Sequence, residues 1–342
     1  MKTEKLFVDT NKPDKGIILR AARYLQKGEL VAFPTETVYG LGANALDAKA
    51  ASKIFEAKGR PQDNPLIVHV SSIEMAQELV LDDLNDYKWL VELLWPGPVT
   101  IIFRKSRRIP DIVTAGLPNV GIRFPSHPVA QKLIEIAGLP IAAPSANLSG
   151  RPSPTDEFHV IEDMDGRIAC MLLAGKTLFG LESTIVDLSR GKPTLLRPGP
   201  ISVERLKTLF PDLEVPEFVK AEEKYSGPAL APGMKYRHYS PKIELILVEG
   251  DPRERYKEII TFAFEKNSII LCSRETEHLY PGEIKRRVLG SRDNLYEVAA
   301  NLFYALREPG EEFERIVSEA FPETGVGLAI MNRLRKAAWR IM

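Results

Sequence analysis

Lys58-Gly59-Arg60-Pro61 places two cations around a glycine, followed by polar Gln62, Asp63 and Asn64. Lysine offers a compact charge and arginine a planar fork, which together suit an anion clamp. The same cations could instead cap the C-terminus of a helix. Ser145-Ala146-Asn147 lies within Pro144 to Gly150, after apolar Ile141-Ala142-Ala143 and before Arg151-Pro152-Ser153-Pro154. Hydroxyls, an amide and backbone N–H groups there could cradle phosphate oxygens, or form an ordinary Ser/Asn/Gly turn. Thr35, in Pro34 to Gly42, could present its hydroxyl at a sheet edge or belong to a glycine-assisted turn. Ser183-Thr184 is a fourth polar strand-end group, with local backbone capping as its alternative. Arg123 and Arg197 each end an apolar strand. They either reach solvent or join Lys58 and Arg60 in a cationic pocket. His69, inside a strand, reads by itself as a structural histidine.

Several familiar arrangements are missing. Ala174-Gly175-Lys176-Thr177 looks like the tail of a phosphate loop, but Cys170 stands where its first glycine belongs. There is no GxSxG, HExxH or GxGxxG, and Asp82-Asp83 reads as a solvated pair at a helix end. No metal cage built by protein groups alone is visible. Magnesium would ride on substrate phosphates.

The elements that must position these groups fall into two patterns. Strands are expected at Leu30 to Phe33, Leu66 to Val70, Val99 to Phe103, Val120 to Arg123, Ile141 to Ala143, Ile185 to Leu188 and Thr194 to Arg197. Helices at Ala48 to Lys58, Ile73 to Val80, Tyr87 to Trp95, Pro128 to Ala137 and Ser202 to Phe210 separate them. Short strands with uneven helix spacing imply a twisted, mixed sheet. After residue 241 the pattern becomes regular. Strands at Ile243, Ser268, Arg286 and Arg315 alternate with helices at Pro252, Leu295 and Gly327. Such βα repeats imply a smaller, Rossmann-like α/β domain with a parallel sheet. The expected division is 1–212, 213–241 and 242–342. The middle piece is punctuated by Pro211, Pro216, Pro228, Pro232 and Pro241 and reads as an extended linker.

Composition sets outer bounds. At 342 residues, two domains are the natural expectation. Lys+Arg and Asp+Glu balance at 46 each, so any anion site must be a local cluster. Cys170 and Cys272 stand far apart, which argues against a disulfide scaffold or thiolate zinc site. Met1 to Lys15 is charged and unlike a signal peptide, and no apolar stretch approaches membrane-spanning length. A cytoplasmic location and no membrane partner are expected.

Taken in order, the segments resemble the YrdC-like family, and within it the long, two-domain threonylcarbamoyl-AMP synthases. The stretches that carry the resemblance are Phe33 to Gly42, KGRPQDNP from Lys58, WPGPVT from Trp95 and Arg123 to Pro128. APSANLSG from Ala143, ESTIVD from Glu182 and LRPGPIS from Leu196 continue it. APGMKYRHY from Ala231 is similar to the linker that marks the long form. The resemblance implies that L-threonine, bicarbonate and ATP give threonylcarbamoyl-adenylate and pyrophosphate. The product would supply a separate transferase that modifies adenosine 37 of tRNA. It implies that Lys58 and Arg60 are catalytic, and that they hold ATP with Asn64, Ser145, Asn147, Ser153, Arg197, Tyr236 and His238. Thr35, His69, Arg123, Ala143 and Ser183 would line the threonine pocket. Mg2+ would accompany ATP, and the linker would fold back as a lid.

Two rival readings are an RNA-binding module and a carbamoyl-transfer maturation factor. The first would use Lys285-Arg286-Arg287, Arg333 to Arg340 and a concave cationic face, on which a weak tRNA contact is conceivable. The second would need acylphosphatase-like and CxxC zinc segments, and neither occurs in the sequence.

Overall fold

The structure is a computed structural model and describes residues 2–222, 227, 229–234, 239–310 and 312–342, with the side chains of Pro252 and Arg253 set aside. A ten-stranded sheet begins with β1 (Glu4–Phe7), β2 (Val31–Phe33), β3 (Gly40–Asn44), β4 (Ile67–His69) and β5 (Val99–Arg104). It continues with β6 (Asn119–Arg123), β7 (Ile141–Ala142), β8 (Cys170–Leu173), β9 (Thr184–Asp187) and β10 (Thr194–Arg197). Across the sheet the order is β1-β8-β2-β3-β7-β4-β6-β5-β9-β10. Parallel pairs such as β4–β6 occur together with antiparallel ones such as β5–β6, so the sheet is mixed as expected.

Helices cover both faces. They are α1 (Lys15–Gln26), α2 (Ala48–Lys58), α3 (Ile73–Gln77) and α4 (Lys88–Leu94), then α5 (Asp111–Thr114), α6 (Pro128–Ala137), α7 (Glu157–Met164) and α8 (Val203–Leu209). On one face α1 and α6 bury Ile18, Leu25, Leu133 and Ile134 against Phe33 and Leu172. On the other, Ile54 and Phe55 of α2 pack with Leu41 and Val68. These two cores hold the strand ends on which the polar segments sit.

The second sheet contains β11 (Glu244–Val248), β12 (Ser268–Ser273), β13 (Lys285–Gly290), β14 (Arg315–Glu319) and β15 (Arg340–Ile341). Every pair is parallel, in the order β13-β12-β14-β11-β15. Parallel neighbours need crossovers, supplied by α9 (Pro252–Glu265), α10 (Leu295–Arg307) and α11 (Gly327–Ala337). The Rossmann-like expectation matches this arrangement.

Three readings change. The turn expected across Pro34 to Gly42 ends before its glycines: Gly40 to Gly42 opens β3 between β2 and β7, where a side chain on Gly42 would collide with its neighbours. A Cβ on Gly42 would lie 2.7 Å from Ile141 and 2.8 Å from the Phe33 ring. The linker, where described, is not a free tether. Ala231 and Met234 are buried with Ile67, Ile102, Ile185 and Leu196 of the first sheet. The basic run from Arg333 is not one surface patch either. Arg333 is fully buried, and Arg335 is enclosed by Glu249 and Glu323.

Candidate functional site

Lys58 is the last residue of α2, and Gly59 ends the helix with φ +62°, the left-handed conformation that glycine adopts without strain. Gly59 therefore does the capping, and Lys58 is released to cross the cleft. Its Nζ donates to the carbonyls of Ser145 and Asn147, both at 2.5 Å. Burial pushes its pKa well below the usual lysine value, and Arg60 adds to this; Asp163 and Glu182 oppose it. Arg60 donates to the carbonyls of Asn64 and Pro65 at 3.3 and 3.1 Å, which folds the KGRPQDNP turn around the guanidinium.

The 145–151 loop is locked from within. Ser145 Oγ donates to Asn147 Oδ1 at 2.5 Å, and Asn147 Nδ2 donates to the carbonyls of Leu148 and Arg151. Ser149 N–H donates to the Lys58 carbonyl at 2.9 Å, tying the loop to α2. The two segments singled out first in the sequence are thus in direct contact.

Arg123 ends β6 with its Nη2 2.8 Å from Glu36 Oε1, and both side chains are nearly inaccessible to water. Burial opposes ionisation of Glu36, but Arg123 outweighs it and holds the carboxyl below its ordinary value. Arg197 ends β10 and straddles Ser183, donating to its carbonyl and its Oγ, both at 3.0 Å. Burial lowers Arg197 to about 10, so it stays cationic at neutral pH. His69, at the end of β4, is pushed down to about 3 by burial and by Arg123, and is therefore neutral. Its Nδ1 has no partner among the described residues.

These groups line one cleft enclosing about 710 Å3, its open mouth included. Lys58, Arg60, His69, Arg123, Ala143, Ser145, Asn147, Ser153, Ser183 and Arg197 all face it. Thr35 does not: its hydroxyl donates to the Val38 carbonyl at 2.6 Å and meets Thr37 Oγ1 at 2.8 Å, so it builds the turn. Thr37 lines the cleft in its place. Asn64 is buried outside the lining, with its carbonyl holding Arg60. Tyr236 and His238 lie outside the described residues. Their neighbours Pro232, Gly233 and Tyr239 do line the cleft, and Pro232 accepts a hydrogen bond from Arg197 at 3.3 Å.

Sequence reasoning missed two carboxylates: Glu182, which lines the cleft, and Glu36, which pairs with Arg123 behind the lining. Each stands beside a recognised hydroxyl residue, in Thr35-Glu36 and Glu182-Ser183, and that adjacency was the available signal. It also missed the second sheet's helices. Arg307 at the end of α10 donates to the Pro152 carbonyl and to Asp163, and Arg333 of α11 reaches Glu182. Nothing local in either helix announces those contacts.

The result is an α/β protein in which four basic side chains from strand and helix ends converge on one cleft, an arrangement suited to a polyanionic ligand. The chain belongs to the threonylcarbamoyl-AMP synthase family. The model for Sua5, YciO and YrdC proteins, described as "Telomere recombination", matches residues 23–199. The model described as "Threonylcarbamoyl-AMP synthase, C-terminal domain" matches residues 201–339. The threonylcarbamoyl-AMP synthase of Pyrococcus abyssi is 44% identical over 93% of this chain and 93% of its own length. That of Bacillus subtilis is 45% identical over 99% of this chain and 98% of its own. Among solved structures, P. abyssi Sua5 complexed with L-threonine is similar with a TM-score of 0.91 and 42% identity, covering 99% of each chain.

Proposed function

We propose that this protein is an L-threonylcarbamoyladenylate synthase, a nucleotidyltransferase that converts L-threonine, bicarbonate and ATP into threonylcarbamoyl-AMP, pyrophosphate and water. The observation that carries the reading is the meeting of Lys58, Arg60, Arg123 and Arg197 around one cleft. The names of the P. abyssi and B. subtilis relatives support the product, and the L-threonine bound to P. abyssi Sua5 supports the amino acid.

The chemistry brings anions together. The threonine amine attacks the bicarbonate carbon, and a carbamate forms with loss of water. A carbamate oxygen then attacks the α-phosphorus of ATP and pyrophosphate leaves. Lys58, Arg60 and Arg197 would neutralise phosphate charge as the displacement proceeds, with Ser145, Asn147 and Ser153 fixing the nucleotide and Asn64 acting from behind through Arg60, which its carbonyl holds. Arg123 would take the threonine carboxylate on the part of its fork not used by Glu36, beside neutral His69, Ala143 and Ser183. Thr35 would act from behind, by shaping the turn that presents Thr37.

Magnesium would arrive with ATP. Among the described residues no group of three or more His, Cys, Asp or Glu could hold a metal ion, and the cleft carboxylate Glu182 is bonded to Ser153 and Arg333. The linker, including Tyr236 and His238, would close over the adenylate and exclude water from a hydrolysable anhydride. The product would pass to a transferase that modifies tRNA in the cytoplasm; a weak tRNA contact belongs to the same proposal. Among the described residues no helix is long and apolar enough to cross a membrane.

Incubation with ATP, threonine and labelled bicarbonate tests the reading. Label should appear in an AMP adduct only when threonine is present. ATP turnover indifferent to threonine would overturn the assignment.

A further inference from the structure

Glu182 stands just ahead of β9 in the first sheet and lines the cleft, yet it is almost inaccessible to water. Its Oε1 accepts from Ser153 Oγ at 2.5 Å, and its Oε2 accepts from Arg333 Nε at 3.1 Å. Arg333 Nη2 lies 3.1 Å from the same oxygen, but out of hydrogen-bond alignment. Arg333 comes from α11, beside the second sheet, and is wholly buried. Its Nη1 is anchored on the Pro198 carbonyl at 2.6 Å and on Asn332 Oδ1 at 3.3 Å. Arg333 does not itself line the cleft, and its direct ion pair with a lining residue is the one to Glu182.

An ionised carboxylate has no hydrogen to give, so the hydrogen between Ser153 and Glu182 is the serine's. That spends the only hydrogen of the Ser153 hydroxyl on the protein and leaves lone pairs toward the cleft. Lone pairs repel phosphate oxygens and attract N–H or O–H donors. Burial by itself favours a neutral Glu182, and a neutral carboxyl could donate to Ser153 and reverse the bond. The neighbouring guanidinium of Arg333 is the main group that prevents this; Arg197 acts more weakly in the same direction.

We propose that Arg333 is a positioning residue of the cleft: through Glu182 it fixes Ser153 as a hydrogen-bond acceptor for an N–H or O–H group on the nucleoside part of the bound nucleotide. This rests on ATP being a ligand of the cleft. It gives the second sheet's helix layer a part in a site that it does not line.

The test is a double-mutant cycle on the full-length protein, reading kcat and the KM values for ATP and threonine by pyrophosphate release. Ser153→Ala and Arg333→Gln should each raise the ATP KM about tenfold, the scale of one lost hydrogen bond, with kcat and threonine KM moving less than about twofold. The double variant should be no worse than the worse single one. Inosine triphosphate, 2′-deoxy-ATP and 3′-deoxy-ATP identify the donor: one of them should bind the wild type about tenfold more weakly than ATP does, yet bind Ser153→Ala as well as ATP does. If Arg333→Gln does not fold, Glu182→Gln/Arg333→Gln removes both buried charges and takes its place in the cycle. Additive losses in the double variant would overturn the proposal. So would an Arg333 variant that lowers kcat or raises the threonine KM as much as the ATP KM, or that lowers the melting temperature with no change in ATP KM. A wild type without threonine-dependent turnover would sink the functional reading alone, because the same cycle can be run on ATP dissociation constants by calorimetry.

Discussion

Both sheets carry a buried carboxylate near the end of a strand, Glu182 and Glu319, and the two draw their partners from different distances along the chain. Glu319, at the end of β14, accepts from Ser273 N–H at 2.6 Å, Thr276 Oγ1 at 2.8 Å and Tyr280 OH at 3.2 Å, with Arg292 at 2.9 Å. Every contact lies within its own α/β unit. Along the first sheet's cleft the partners come from distant elements, and His69 Nδ1 on its lining has none among the described residues, nor have Glu36 Oε2 and Asn64 Oδ1 behind it. The second edge has one such atom nearby, Arg255 Nε. A fully partnered polar network fixes structure, whereas unmatched capacity beside an open cleft is available to a ligand. Polar groups at strand ends therefore read as scaffold in the second sheet and as a candidate site in the first.

The largest expected effect comes from removing the cations unique to the cleft. Lys58→Ala or Arg60→Ala should lower threonylcarbamoyl-AMP formation by about 100- to 1,000-fold or more, with the circular dichroism spectrum unchanged. Wild-type rates in either variant would erase the distinction between the two edges.

Next come the two carboxylates. Glu182→Ala strands a fully buried Arg333 and should cost about 3–5 kcal/mol in denaturant unfolding, besides weakening ATP binding. Glu319→Ala strands an Arg292 that keeps 23% of its side chain in water, and should cost about 1–3 kcal/mol while both KM values stay put. A kinetic defect in Glu319→Ala equal to that in Glu182→Ala would merge the two regions.

The last effect leaves stability at neutral pH untouched and falls on the acid limb. His69 is neutral in the fold down to about pH 3 but protonates near pH 6.5 when unfolded. The unfolded chain thus binds the extra proton, and stability falls as pH drops from about 6.5 toward 3. His159, lowered to about 4, and His127 act in the same sense, so His69→Asn should flatten only part of the limb in melting curves taken across that range. An unchanged limb would contradict a buried, neutral His69.

What could be read from the sequence follows the range of the forces involved. Helix α2 was legible to the residue because Ala51, Ile54 and Phe55 repeat at helical spacing and Gly59 stops it. The pairing of Lys58 with Ser145 and Asn147 emerged only from the ordered set of segments, since no local pattern joins positions 87 and 89 residues apart. Strands β1 and β8 pair across more than 160 residues and went unread, as did α1 despite its Asp14 cap. Arg333 misled most. In a basic helix it looks like surface, and its burial depends on a carboxylate 151 residues earlier in the chain.

The most direct measurement is a structure of this protein with L-threonine and a non-hydrolysable ATP analogue bound together. The account predicts both ligands in the first sheet's cleft, the α-phosphate beside Lys58 and Arg60 and the threonine carboxylate on Arg123. Nucleotide bound at the Glu319 edge of the second sheet, with the first cleft empty, would contradict it.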